Sequence, residues 1–159
     1  MRYNSEHLGV YLNDHLAGAA AALELLDTLA TMDGLAPFAT QTRAAIAADR
    51  DQLEHLMHQL SIPIGTAKRA VSWLTGRLAE WKIAFEARGA ESLKRFELLE
   101  ALALGVDGKR SLWQVLDTVA KLDGRLAVLD YARLEQRATD QRREIEAQRL
   151  AAAQAALCD

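Results

Sequence analysis

Residues 5–32 read SEHLGVYLNDHLAGAAAALELLDTLATM, and this stretch decides the fold class. Leu8, Leu12, His15, Ala19, Leu23, Leu26 and Ala30 recur at alternating steps of three and four residues, which puts them on one stripe of an α-helix. Ser5 is the expected N-cap, with Leu8 opening the periodic set. Asp33-Gly34 should end the helix, because glycine takes the left-handed conformation that a β-carbon disfavours. Pro37 then stands where a new helix can begin.

The same periodicity continues outward from this segment. A second helix is expected from Pro37 to Leu60, with Thr42, Ile46, Asp49, Leu53, Leu56 and Leu60 on its stripe and Ser61-Ile62-Pro63 closing it. The short turn between the two makes them antiparallel neighbours. A third runs from Thr66 to Glu86, with Val71, Leu74, Leu78, Trp81 and Phe85 on one face. A fourth runs from Glu91 to Leu104, breaks at Gly105-Val106-Asp107-Gly108, and resumes from Lys109 to Leu122 with Asp107 as its cap. After Asp123-Gly124 a last helix spans Arg125 to Leu157. Its stripe thins to Ala138, Gln141, Ile145, Gln148 and Ala152 among charges of both signs. Such a seam favours projection or fraying over a committed coiled coil; otherwise it packs on a partner helix. Residues 1–159 are therefore expected to form one all-α domain, a bundle with its last helix projecting.

Composition agrees with helix. The chain has 159 residues, of which 30 are alanine, 9 glycine and 2 proline; alanine is the best helix former and proline the worst. Nineteen basic residues against 22 acidic ones leave a net charge of −3, which offers no electrostatic reason to bind nucleic acid or an anionic membrane. The one cysteine, Cys158, has no partner for an internal disulfide. A reducing, cytoplasmic location is the expectation. No uninterrupted apolar stretch is long enough to span a bilayer, and there is no phosphate loop, nucleophile elbow, Cys-x-x-Cys pair or His-Glu-x-x-His helix.

Polar residues on apolar stripes mark the candidate chemistry, since a buried polar group must find a partner or cost stability. His15 and Asp49 are two of them. With the first two helices antiparallel, His15 lies level with about Glu54, within a turn of Asp51, Glu54 and His55. A histidine–carboxylate hydrogen bond between the helices is one expectation, and a divalent-metal site (iron, manganese or zinc) the other. His55 and His58 share a face, and Glu54 is four residues from His58. Glu97 and Glu100 share a face of the fourth segment, either as carboxylates for a metal or as salt-bridge partners of Lys94 or Lys109. Trp73, Trp81 and Trp113 occupy helical core positions and are expected to fill space, in preference to stacking on a ligand.

The hairpin, long connection and second hairpin resemble the ferritin-like four-helix bundle, with Thr66–Glu86 as the crossover. Tyr11–Ala19 resembles the opening helix of small ferritin-like bacterial stress proteins, and Asp49–Leu60 their second helix. That resemblance implies a glutamate on the first and third helices and Glu-x-x-His on the second and fourth. Here the first helix carries Gly18 and Ala19 instead. Asp51 and Glu54 are followed three places on by Glu54 and Met57. The third offers Glu97 or Glu100, and the last offers Glu135 and Asp140 but no histidine. The ligand set is incomplete, so oxidase chemistry is not expected. The function expected is non-enzymatic, through binding or assembly, without a cofactor and with a second copy or another protein engaging the last helix; the alternative is a degenerate metal site built from His15, Asp51, Glu54, His55, Glu97 and Glu100.

Overall fold

The computed structural model describes residues 2–65 and 91–158, and these are helical with no strand among them. Their α-helices are α1 (Ser5–Ala30), α2 (Ala36–Gln59), α3 (Glu91–Ala120) and α4 (Tyr131–Leu157), with a 3-10 turn at Gly124–Leu126. The helix expected over Thr66–Glu86, with Trp73 and Trp81, lies outside the described residues.

Asn4, rather than Ser5, caps α1: its side chain accepts from the His7 N–H at 3.0 Å. Gly34 makes the turn to α2 at φ +74°. α2 stops before the proline does. The Ser61 N–H donates to the His58 carbonyl (3.1 Å) and the Ile62 N–H to the Met57 carbonyl (2.9 Å), with Ser61 left-handed at φ 54° and Ile62 buried. That is a Schellman closure, which satisfies carbonyls the helix end leaves free.

The break expected at Gly105–Gly108 does not occur; α3 runs through it unbroken. Two interior glycines cost about 1 kcal/mol each against alanine, but Leu102, Val106, Leu112 and Trp113 are buried on the same helix, and each buried side chain of that size gains about 1.5–3 kcal/mol. Packing outweighs propensity. Asp107, mid-helix, is not a cap: its carboxylate takes a 3.0 Å bond from Arg142 Nε on α4. A β-carbon at Gly108 would meet nothing within 4 Å, so Gly108→Ala should raise stability by about 0.5–1 kcal/mol, read as a higher urea midpoint at unchanged slope.

α1 and α2 form one antiparallel hairpin, α3 and α4 another, and α1 packs on α3. The thin seam of α4 does not project over solvent. Ala138, Gln141, Ile145 and Ala152 are buried, and the partner helix of that seam is α3 of the same chain. An ion-pair ladder edges this hairpin: Arg142 bonds Asp107 and Glu146, and Arg149 bonds Glu146 (2.8 Å) and Glu100 (3.2 Å). Hydrogen bonds from Arg149 and then Arg142 hold the Glu146 carboxyl down to about 2. At the other end the Tyr3 N–H bonds Asp123 (3.1 Å) while Arg125 stacks 4.3 Å over the Tyr3 ring, fastening the N-terminus to the turn after α3. Asp130 caps α4 by accepting from the Arg133 N–H, which starts that helix later than the expected Arg125.

Candidate functional site

Asp49 is the most deeply buried charge among the described residues, 1% exposed, at a position where the α2 stripe calls for an apolar side chain. Its Oδ2 accepts from Lys109 Nζ on α3 at 2.6 Å and from Gln141 Nε2 on α4 at 3.0 Å. Lys109 also donates to Gln141 Oε1. Arg137 NH2 lies 2.9 Å from Oδ1, but without the alignment of a hydrogen bond, so that contact is Coulombic. Three helices thus contribute to one closed polar knot between the two hairpins. Burial pushes the Lys109 ammonium below its ordinary range, and the neighbouring Asp49 carboxylate opposes that shift.

The knot forms part of the floor of a cleft of about 440 Å³ between α1, α2 and α3. Its walls are apolar, with Ala22, Ile46, Leu53, Leu102 and Trp113 among them, and Leu104, 67% exposed, at its mouth. Gly18 on α1 and Gly105 on α3 both line it, and a β-carbon on either would meet nothing within 4 Å. Both glycines are exposed, so the cleft opens to solvent beside them. Polar groups reach it at His15, Arg50, Asp49 and Lys109.

His15 lines this cleft but makes no hydrogen bond to a carboxylate among the described residues. Its ring packs edge-on to Tyr11 at 4.7 Å, and burial lowers its pKa, against the opposing pull of Asp14. The expected histidine–carboxylate bond does not form, and Asp49 turns instead to Lys109. Of the other residues singled out from sequence, Glu54 pairs with Arg50 at 2.7 Å, and Glu100 pairs with Arg149, neither with Lys94 nor with Lys109. Asp51, His55 and His58 are exposed, and Glu97 is half-buried without an ion pair among the described residues. No group of three or more His, Cys, Asp or Glu residues among the described ones is placed to hold a metal ion. From sequence, Lys109 stands out only as a salt-bridge partner for Glu97 or Glu100 and Trp113 chiefly as a core residue, while nothing marks Arg137.

No described helix is long and apolar enough to cross a membrane. No family model, no curated protein and no solved structure matches the chain.

Proposed function

We propose that the chain is a non-enzymatic helical bundle of ferritin-like layout that acts by binding a small, largely apolar molecule in the cleft between α1, α2 and α3. Two antiparallel hairpins joined through a long connection, residues 60–90, support the layout. The observation that carries the binding reading is the apolar cleft of about 440 Å³, which a few polar groups, His15, Asp49, Arg50 and Lys109, reach. Its volume lies in the lower part of the range for small-molecule sites, roughly 300–1,000 Å³, which are apolar clefts with a few convergent polar groups. Its polar residues His15 and Lys109 both carry pKa values moved by burial, a feature that clusters at functional sites. The divalent-metal alternative has no converging third ligand to support it among the described residues.

A neutral apolar fluorophore tests this. N-phenyl-1-naphthylamine should bind the wild type saturably and one to one. Gly18→Leu and Gly105→Leu should abolish that binding, because the new side chains occupy the open space. Gly108→Ala, outside the cleft, should leave it unchanged. Failure of the wild type to bind the probe saturably, or undiminished binding in both leucine variants, overturns the reading.

A further inference from the structure

The outward side of α3 differs from that of the other helices. α1 exposes Asp14 and Glu24, α2 Arg43 and Asp51, and α4 Asp140 and Arg143, as solvated helix faces do. On α3 every exposed residue from Leu104 to Thr118 is uncharged. Leu104, Gly108, Ser111, Val115, Thr118 and, in the closing turn, Leu122 recur at alternating steps of four and three, which sets them on one stripe. Its three large side chains, Leu104, Val115 and Leu122, are 67%, 43% and 57% exposed. Apart from Leu104 the stripe lies outside the cleft, so what it implies is independent of the small-molecule reading.

A seam with that spacing packs against another helix, and its own sequence selects the partner and the direction. Laid antiparallel on a second α3, the stripe matches itself: Leu104 falls opposite Leu122, Gly108 opposite Thr118 and Ser111 opposite Val115. Each small residue then meets a larger one, whereas parallel pairing sets Gly108 against Gly108 and leaves a gap without contacts. The charges agree. Asp107 and Lys121 edge the stripe on one side, each seven residues from Gln114, so the antiparallel arrangement brings Asp107 of each copy beside Lys121 of the other. Both stay partly exposed while paired within the chain, Asp107 with Arg142 and Lys121 with Asp117. Edge charges of this kind set the orientation of paired helices. We propose that two copies of the chain associate through the outward stripes of α3, antiparallel about a twofold axis near Gln114. A single helix stripe about 27 Å long buries less than the roughly 800 Å² per partner of a standard interface, which makes this a weak, reversible dimer.

Sedimentation velocity of the full chain from about 1 to 300 µM tests the proposal. The wild type should pass from monomer to twice the chain mass across that range. Val115→Glu buries two unpaired carboxylates at the centre of the pairing and should weaken association at least about tenfold. Its melting temperature at low concentration should stay that of the wild type, because Val115 is exposed in the monomer. Direction is read by cross-linking. Gln114→Cys, in a Cys158→Ser background that removes the exposed native thiol, should be joined between copies by a short bismaleimide. Antiparallel pairing brings the two positions 114 together, and parallel pairing sets them on opposite edges. A monomer at every concentration overturns the proposal; if Val115→Glu also lowers its melting temperature, residues 66–90 of the same chain cover the face instead. A dimer of undiminished affinity in Val115→Glu overturns the choice of face. A chain that dimerises but does not cross-link at position 114 overturns the antiparallel pairing.

Discussion

Asp49→Ala should destabilise the protein by about 3–5 kcal/mol, the usual cost of removing one partner from a buried ion pair. The carboxylate is the only acceptor offering charge to Lys109 within the knot, and it is 1% exposed. Without it the Lys109 ammonium, already disfavoured by burial, keeps one neutral partner, Gln141. The combined change Asp49→Leu, Lys109→Met and Gln141→Leu should recover most of the loss, since apolar side chains of similar volume often replace a buried polar cluster at no net cost. Urea unfolding of the three proteins measures both effects. A single variant within about 1 kcal/mol of wild type would mean that water already reaches the pair, in the manner of a surface bridge.

Trp113→Ala should cost a similar amount, about 3–5 kcal/mol, as deletion of a fully buried aromatic leaves a cavity that its neighbours fill only in part. Trp113 is one of the largest fully buried side chains among the described residues, and its ring lies 6.4 Å from that of Tyr131. The Tyr131 hydroxyl donates to the Leu126 carbonyl at 2.5 Å, so the aromatic pair also anchors the turn that starts α4. Trp113→Phe should cost far less than the alanine change. It keeps most of the packing and removes an unpartnered buried N–H, a group whose desolvation opposes folding by about 1–3 kcal/mol. Thermal melts of both variants decide this; equal losses would show that the indole nitrogen carries a stabilising bond after all.

The helices of the first hairpin were legible from their periodicity because each turns one apolar stripe toward a shared core. Leu12, Leu23 and Leu26 of α1, and Thr42, Ile46, Asp49, Leu53 and Leu56 of α2, are buried. His15 and Ala19, on the same α1 stripe, are half-buried because they border the cleft. Sequence and structure part at Gly105–Gly108, where the helix runs through unbroken. Local propensity argues for a break there, and tertiary packing overrides it. Continuous helix sets Lys109 on the face of Leu102, Val106, Trp113 and Leu116, whereas a helix restarting at Lys109 leaves it looking like a rim residue for Glu97 or Glu100. Asp49 and Gln141 both stood out as polar residues on apolar stripes. That they meet could not be read, since they are 92 residues apart and their pairing depends on how one hairpin sits against the other. The cleft is hidden for a related reason: α1, α2 and α3 all line it, so its outline depends on how the helices sit against one another.

Methyl-resolved NMR of the protein with N-phenyl-1-naphthylamine examines the occupied cleft itself. Nuclear Overhauser contacts are predicted from the bound fluorophore to the methyl groups of Ile46, Leu53 and Leu102, which line the cleft. Ligand contacts confined to Val10, Leu122 or Leu157, which are exposed apolar residues outside the cleft, would contradict the account.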